Sequence, residues 1–404
     1  MPKPLSLKTT AVIKSSVPAL AAHGPAITKA MYDRLFLDDH IRALFNHSNQ
    51  GEGGSQVNAL ATAILAYARN IENLEPLLPV VERIAQKHIG YNILPEHYPF
   101  VARALLDAIT DVLGAAATPE LLDAWAEGYW FLADLLKERE ADIRRDLEQS
   151  PGGWTGWRQF IISERIRESE VITSFILRPS DGSPVIRHHP GQYLTLRFEL
   201  EHGTEIKRNY SISSAPNDEY YRISVKREAA GSGGSRHLHD IALVGDTIYL
   251  SPPAGDFFLN SDQVRPVILL SAGVGLTPMV SMIESINTDL PALEVHYIHA
   301  ALNSSTHAMD RHVRSIAKSH GRIAVSTFYS DPGALDVAGQ SHDYNGFINI
   351  DWLRNHTPFV DADFYLCGPK PFLRSLINGL WEAGIEPCRI HFEFFGPSDE
   401  LLAA

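Results

Sequence analysis

Apolar positions repeat along this chain with two different periods, and the change of period divides it. In the first part they recur every three and four residues: Leu60, Ile64, Tyr67 and Ile71 in one stretch, then Val81, Ile84, Ala85 and His88 in another. That spacing predicts helices with one buried face. Leu105-Leu106-Asp107-Ala108-Ile109 continues the pattern. Thr118-Pro119-Glu120 supplies an N-cap and a first-turn proline for a long last helix through Trp125, Tyr129, Leu132, Leu136 and Glu140 to about Glu148. Pro151-Gly152-Gly153 ends it.

Beyond Trp157 the runs become short and rich in β-branched and aromatic residues. Phe160–Ile162, Ile172–Leu177 and Tyr193–Phe198 are separated by turn residues such as Asp181-Gly182 and Pro190-Gly191. Short spacing without an intervening helix predicts a small antiparallel barrel over about 155–262. From Arg265 apolar strands alternate with helices: strand Pro266–Leu270, helix from Pro278 to about Ile286, strand Leu293–Ile298, helix near 308–319, then strands Ile323–Phe328 and Asp363–Cys367. That alternation predicts a parallel sheet. The expected organisation is multidomain: all-α over 1–150, antiparallel β-barrel over 151–262, and α/β with a parallel sheet over 263–404.

Composition narrows the function classes. The chain has 404 residues, 45% of them hydrophobic and 21% charged, as a soluble multidomain enzyme would. A net charge of −13 argues against nucleic acid and an anionic membrane surface. No apolar run approaches a spanning helix, and Met1–Ser6 lacks the apolar core of a signal peptide. The expectation is a cytoplasmic protein without a membrane anchor. Two cysteines, Cys367 and Cys388, exclude a four-cysteine zinc site, an all-cysteine iron–sulfur cluster and C-x-x-C-H haem attachment.

Three motifs follow in order. Arg208-Asn209-Tyr210-Ser211 sits on strand-like sequence after Pro190-Gly191-Gln192-Tyr193. A flavin needs an aromatic wall and a fixed cation for its pyrophosphate; an ordinary exposed strand with one Arg reads the same. Gly273-Val274-Gly275-Leu276-Thr277-Pro278 leaves an apolar strand and opens a helix. Its glycines admit a dinucleotide backbone at a helix N-terminus, though a plain strand–helix turn has the same look. Cys367-Gly368-Pro369 ends the last strand of the alternation, and Cys367 is either near a nicotinamide or an inert core thiol. Gly231–Ser235 is an idle loop or a phosphate-wrapping turn. His391–Pro397 is aromatic enough to need a surface to cover, or to form a terminal strand. Gln56 and Leu60, four apart, share one helix face.

The order Arg-x-Tyr-Ser, Gly-x-Gly-x-Thr-Pro, Cys-Gly-Pro resembles the ferredoxin–NADP reductase superfamily. The helical part, through Met31–Phe36, Leu44–Gln50, Tyr67–Leu74 and Ile84–His88, resembles the globin domain of bacterial flavohaemoglobins, and the likeness spans the whole chain. The resemblance implies haem b with one iron, FAD, and NADH or NADPH, and a nitric oxide dioxygenase that oxidises nitric oxide to nitrate with O2. It implies His88 as the iron ligand, Tyr32 and Gln56 as distal groups, Phe45 and Leu60 against the haem, Tyr98 and Glu140 behind His88, and Lys87 beside it. For the flavin it implies Tyr193, Arg208, Asn209, Tyr210, Ser211, Glu393, Phe394, Phe395, Gly396 and Pro397. For the nicotinamide it implies Gly273, Val274, Gly275, Leu276, Thr277, Pro278, Cys367, Gly368 and Pro369. Leu276 departs from a more usual polar residue, and Phe394 from Cys. With both redox halves on one chain, O2 and nitric oxide are the expected partners, with no obligatory protein partner and a monomeric state. Two other functions remain open from the residues: an oxygen store or gas sensor with an attached haem reductase, and a flavin reductase serving a protein partner.

Overall fold

The computed structural model describes residues 4–45, 55–199, 205–228 and 233–396; the side chain of Gln56 lies outside that description, as does Pro397. The chain divides into two compact units, one ending at Trp157 and one spanning Arg158–Gly396.

The first unit is helical: α1 (Leu7–Ser15), α2 (Val17–Leu35), α3 (Asp39–Arg42), α4 (Ser55–Arg69), α5 (Leu78–Tyr91), α6 (Tyr98–Leu113) and α7 (Pro119–Gln149). The local signals for α7 act as read: Thr118 Oγ1 accepts the Leu121 N–H and Pro119 takes the first helical position. α5 ends on Asn92, whose φ of 54° lets the Asn92 and Ile93 N–H groups fold back onto the last turn that carries His88. One apolar cluster gathers α1, α2, α4, α6 and α7 around Ile13, Ile27, Met31, Tyr67, Ala108 and Trp125. A second packs α5 on α6 and α7 through Ala85, Ile89, Tyr98, Ala133 and Leu136. Tyr129 and Leu132 of α7 touch both clusters.

The second unit holds two six-stranded sheets. The first is antiparallel, in order β4-β3-β6-β1-β2-β5, from β1 (Arg158–Arg167), β2 (Ile172–Pro179), β3 (Tyr193–Glu199), β4 (Glu205–Ser211), β5 (Tyr221–Lys226) and β6 (Thr247–Leu250). Its edges meet: beyond β4, Ile212 bridges Ile223 of β5 and the Ser213 N–H donates to Arg222 O at 2.7 Å. Closure removes the exposed edges an open sheet would leave. One turn, α8 (Gly234–Arg236), continuing as a wider coil to Ile241, follows β5.

The second sheet is parallel, in order β10-β9-β8-β7-β11-β12. Along the chain it runs β7 (Val267–Ala272), α9 (Leu276–Asp289), β8 (Val295–Ala301), α10 (Asp310–His320), β9 (Ile323–Tyr329), β10 (Tyr344–Asn345), α11 (Ile350–His356), β11 (Asp363–Cys367), α12 (Lys370–Glu382) and β12 (Ile390–Glu393). β7 and β11 are buried on both faces, which explains their continuous apolar runs. Chain progression reverses between β7 and β11, and a crevice forms at such a switch point, at the carboxyl ends of the strands. The aromatic segment after Glu386 contributes β12, paired with β11, so Ile390–Glu393 is a terminal strand and Phe394 and Phe395 lie beyond it.

α9 is clamped to the barrel by buried polar groups. Glu284 accepts the Ala215 N–H at 2.7 Å and the Arg222 guanidinium at 2.6 Å, and its other neighbour is His312 Nε2 at 2.6 Å. Burial would push the Glu284 carboxyl up, but His312 and Arg222 overcome this and leave it below the ordinary value. His188, fully enclosed, places Nε2 3.1 Å from Ser214 O and 3.3 Å from Ser281 Oγ.

Candidate functional site

In the helical unit α5, α6 and α7 bring His88, Tyr98 and Glu140 together. His88 Nδ1 is 2.6 Å from Glu140 Oε1, the Tyr98 hydroxyl donates to the same oxygen at 2.5 Å, and Nδ1 is 3.1 Å from the Tyr98 oxygen. Glu140 has no solvent exposure (0%), although Lys137-Glu138-Arg139 before it reads as a solvated face. A carboxylate only accepts, so the Nδ1 proton points to Glu140 and the tautomer is set. Nε2 makes no hydrogen bond among the described residues, and the imidazole is 28% exposed. Burial first, and the Glu140 charge second, push the Tyr98 phenol well above its ordinary value, so it remains a donor. Glu140 Oε2 takes no hydrogen bond among the described residues, but Arg144 lies 3.7 Å away and gives the buried charge a counterion. Tyr129 donates to Tyr98 O at 2.7 Å. The Arg139 guanidinium forks onto Glu82 at 2.5 and 3.0 Å, fixing α5 against α7 one turn and a half before His88. That bond, more than any other cause, lowers the Glu82 carboxyl. Lys87 is exposed.

Tyr32, Phe45 and Leu60 are partly buried and pack against the larger cluster. Tyr32 stacks on Phe36 with centroids 5.5 Å apart and meets Phe45 edge-on at 5.8 Å. Gln56 belongs to α4, with its side chain outside the described residues.

In the barrel β3 and β4 run side by side with Tyr193 opposite Ser211, Leu194 opposite Tyr210, Thr195 opposite Asn209 and Leu196 opposite Arg208. Opposed residues share a face, so Tyr193, Asn209 and Ser211 lie on one side and Arg208 and Tyr210 on the other. Asn209 Oδ1 accepts the Thr195 hydroxyl at 3.0 Å. Gly234 packs against the Arg208–Tyr210 side: a Cβ there would sit 2.7 Å from Arg208 Cγ and 2.9 Å from the Tyr210 hydroxyl. Gly234, in the described part of the glycine-rich stretch, thus adjoins the motif arginine. Sequence reading named both without connecting them; the available signal was a Gly-Gly-Ser start to a helix, the usual setting for an anion. Phe394 is half-buried and Phe395 is 49% exposed.

The two remaining motifs meet at the switch point. Ser271 pairs with Cys367 across β7 and β11. A Cβ on Gly275 would lie 2.2 Å from Cys367 O and 2.8 Å from Gly368 N, and one on Gly368 would lie 3.2 Å from Ala272 N. The loops therefore touch through backbone, which only glycine permits. Gly273 has φ 55° and open space beside it. Gly273 and Val274 face outward in part, whereas Leu276, Thr277 and Pro278 are buried, and the Thr277 hydroxyl is turned back to Val274 O at 3.1 Å. Leu276 is thus a core side chain at a position where a polar residue would have to be buried. Pro369 starts α12 as its N-cap. Cys367 is wholly buried; burial, then the charge of Glu393 on the neighbouring strand, raises its thiol far above the ordinary value. It is therefore a neutral thiol and no thiolate nucleophile.

Family models match three stretches of the chain. A globin model matches residues 18–135, an oxidoreductase FAD-binding domain 159–259 and an oxidoreductase NAD-binding domain 269–377. The chain is 56% identical over 396 residues to a flavohemoprotein of Xylella fastidiosa, covering 98% of each. The chain belongs to the flavohaemoprotein family. A flavohemoprotein of Rhodopirellula baltica is 42% identical over 407 residues, covering 99% of this chain and 100% of that one. Among solved structures, a flavohemoglobin from Malassezia yamatoensis with bound FAD and heme matches with a TM-score of 0.86 and 26% identity, over 98% of this chain and 100% of that one. The FAD/NAD-binding domain of a nitric oxide dioxygenase from Vibrio cholerae matches at 37% identity and a TM-score of 0.54, over 59% of this chain and 99% of that one. This family member is accordingly an oxidoreductase with a globin unit, and its fold class is the one its hydrophobic pattern predicts. Among the described residues no helix is long and apolar enough to cross a membrane.

The residues present fit the three groups such proteins carry. His88 offers an imidazole nitrogen without a hydrogen-bond partner among the described residues, with its other nitrogen engaged. Arg208 beside Gly234 leaves a backbone approach for phosphate, and Gly275 against Gly368 leaves one for a dinucleotide.

Proposed function

We propose that this chain is a nitric oxide dioxygenase, which uses O2 and NADH or NADPH to convert nitric oxide to nitrate. When bound, the nicotinamide supplies electron pairs, FAD passes them on singly, and haem b supplies one iron for oxygen chemistry.

The observation that carries this reading is the buried carboxylate behind His88. Glu140 accepts the Nδ1 proton and gives the imidazole anionic character, so Nε2 becomes a stronger electron donor to iron. A strong donor favours oxygen activation over reversible storage. Enclosure keeps water from screening the charge, Tyr98 holds the carboxylate aimed, and Arg144 lies within reach as its counterion. An oxygen store or sensor has no need of a charge buried at this expense in desolvation. Tyr32 and Gln56 are assigned to orient oxygen and exclude water, with Phe45 and Leu60 holding the haem edge. Lys87 and Glu393 are assigned to tune the two redox groups. Arg208 is assigned to the FAD pyrophosphate, and Tyr193, Asn209, Tyr210, Ser211 and Phe395, with Phe394 and Gly396, to its ring system. Gly273–Pro278 and Cys367–Pro369 are assigned to the nicotinamide dinucleotide. Both redox halves lie on one chain, so no second protein is required.

The test is nitric oxide consumption by haem- and FAD-loaded protein with NADH and oxygen. Rapid consumption that yields nitrate is expected. Fully loaded protein that reduces its iron yet consumes no nitric oxide would be a store or sensor, and protein that cannot bind haem would be a flavin reductase.

A further inference from the structure

A nicotinamide passes its hydride to a flavin only from close range: the reacting atoms have to lie about 3–3.5 Å apart, and a misplacement of about 1 Å can cost about 100-fold in rate. Here the two candidate sites are carried by different layers, the glycine loop by the start of α9 and the flavin motif by β4 of the barrel. One apolar cluster joins the layers, with Ile172, Phe257 and Leu259 from the barrel half and Met279, Met282 and Ile283 from α9. Apolar contact is non-directional, so it holds the layers together without fixing how one lies along the other.

Polar bonds supply that register. On α9, Thr277 of the glycine motif, Ser281 and Glu284 recur at four and then three residues, so they share one helix face. Past Ser211 the flavin motif runs on into Ser213, Ser214 and Ala215. The Ser281 hydroxyl donates to Ser214 O at 2.7 Å and Glu284 accepts the Ala215 N–H at 2.7 Å, so this helix face grips consecutive residues of that segment. Arg222 of β5 closes the arrangement: its guanidinium donates to Ser213 O and, at 2.6 Å, to Glu284, and its Nε to Ser213 Oγ at 3.3 Å. The turn that leads into Tyr193 meets α9 as well, since a Cβ on Gly191 would lie 2.7 Å from Met282 Cε. Both strands that carry flavin candidates therefore leave the barrel against the middle of α9. Ser213, Ser214 and Ser281 are at most 2% exposed. Buried polar bonds add little net stability but tolerate little displacement, because a shifted partner leaves a buried group unsatisfied.

We propose that Ser281 and Glu284 are positioning residues for hydride transfer: they fix the start of α9 against the strand that carries the flavin motif, and so set the approach of nicotinamide to flavin. This rests on the reading of the glycine loop and Arg208–Ser211 as the nicotinamide and flavin sites, and is independent of nitric oxide oxidation. The step they govern moves one hydride, a proton with two electrons, from the nicotinamide ring to the flavin. The nicotinamide is oxidised, the flavin is reduced, and solvent supplies the further proton of the neutral reduced flavin.

The test mixes the haem- and FAD-loaded full chain with NADH anaerobically in a stopped-flow instrument. The limiting rate of flavin reduction should fall about tenfold in Ser281→Ala and about 100-fold when Glu284→Gln is added, while the half-saturating NADH concentration changes by less than about twofold. NADH deuterated at the transferred position should slow both variants further, because approach limits them. A second readout needs no turnover: protein reduced under carbon monoxide and titrated with NAD+ should develop less of the long-wavelength charge-transfer absorption that a nicotinamide stacked on reduced flavin gives. Ser285→Ala is the control. It removes a buried hydroxyl of the same helix whose bond, to Asp289 at 3.1 Å, stays within α9, and it should match the parent protein in both readouts. An unchanged limiting rate and absorption in Ser281→Ala would overturn the proposal, as would an equal fall in Ser285→Ala or a slow step indifferent to deuterium. So would a loss confined to NADH affinity at an unchanged limiting rate. Ser281→Ala decides alone if the double variant does not fold. Failure of NADH to reduce the flavin of the parent protein is a separate result: the nicotinamide reading then falls, and the positioning role with it.

Discussion

At His88 donors from two helices converge on one carboxylate oxygen carried by a third; at Gly275 two loops touch through their backbones and no side chain takes part. Both places sit where sequence motifs predict a redox group, and they are specified by opposite means. The helical unit sets its chemistry with a single buried charge, whose worth depends on every neighbour that compensates it. The sheet unit makes room, and it does so by the absence of Cβ atoms. The first should fail through electrostatics with shape retained, the second through shape with charges untouched.

The sharpest break is Glu140→Ala. It leaves the Tyr98 hydroxyl and the His88 Nδ1 proton without their shared acceptor and Arg144 without its counterion, and should cost about 3–5 kcal/mol of stability, as removal of one partner of a buried pair does. Urea denaturation followed by far-UV circular dichroism measures this. Glu140→Gln keeps the shape and should leave the fold nearly as stable, yet reduce nitric oxide turnover by about 10–100-fold, the usual effect of removing a ligand's hydrogen-bond partner. Unchanged turnover in Glu140→Gln would remove the reason for preferring an enzyme to an oxygen store.

Gly275→Ala probes the opposite design. Its new Cβ meets Cys367 backbone, which cannot move without disturbing β11, and the loss should approach about 3 kcal/mol in the Arg158–Gly396 unit alone. Gly273→Ala meets nothing and pays only for its positive φ, about 1 kcal/mol. Comparable losses for the two would show that backbone contact does not shape the crevice.

A gentler probe is acid. Burial holds His188 neutral down to about 3, against an ordinary value of 6.5. The unfolded chain therefore takes up the proton first as pH falls. The contribution of His188 is complete above pH 6.5 and declines toward pH 3, at roughly 1.4 kcal/mol per pH unit. Glu284, also lowered in the folded state, adds a loss in the same direction as pH falls below its ordinary value. Melting curves of the sheet unit within the full chain should steepen in this way, and His188→Gln should shrink the leg between pH 6.5 and 4.5, the remainder belonging to His299 and His307, which burial also lowers.

Local chemistry explains what was legible in the sequence. Thr118-Pro119 starts α7 because a cap and a fixed φ act within four residues, and the apolar runs of β7 and β11 announce strands buried on both faces. Long-range closure left no such trace. His88 and Glu140 are 52 residues apart, and on its own Glu140 reads as one more charge on a solvated helix; only family resemblance joins them. The contact of Gly275 with Gly368 and the bridge of Ile212 to Ile223 depend on how sheets close, which no short window records. The terminal aromatics were readable as needing a surface, but the pairing of Ile390–Glu393 with β11 gives three of those residues, His391 to Glu393, a strand to belong to.

Lys87 gives the smallest effect and the finest discrimination between charge that matters and charge that does not. It adjoins His88 in sequence and is proposed above to tune the haem, but its side chain is exposed. Water and salt screen an exposed ammonium, whereas nothing screens Glu140 at zero exposure. Lys87→Ala should therefore change stability by less than about 0.5 kcal/mol. Its shift of the haem midpoint potential should be smaller than that of Glu140→Gln and should fade as ionic strength rises, while the Glu140→Gln shift persists. Potentiometric titration of both variants at low and high salt measures the pair. A Lys87→Ala shift as large as that of Glu140→Gln and insensitive to salt would mean that the ammonium acts from a desolvated position, and that burial is not what separates the two charges beside His88.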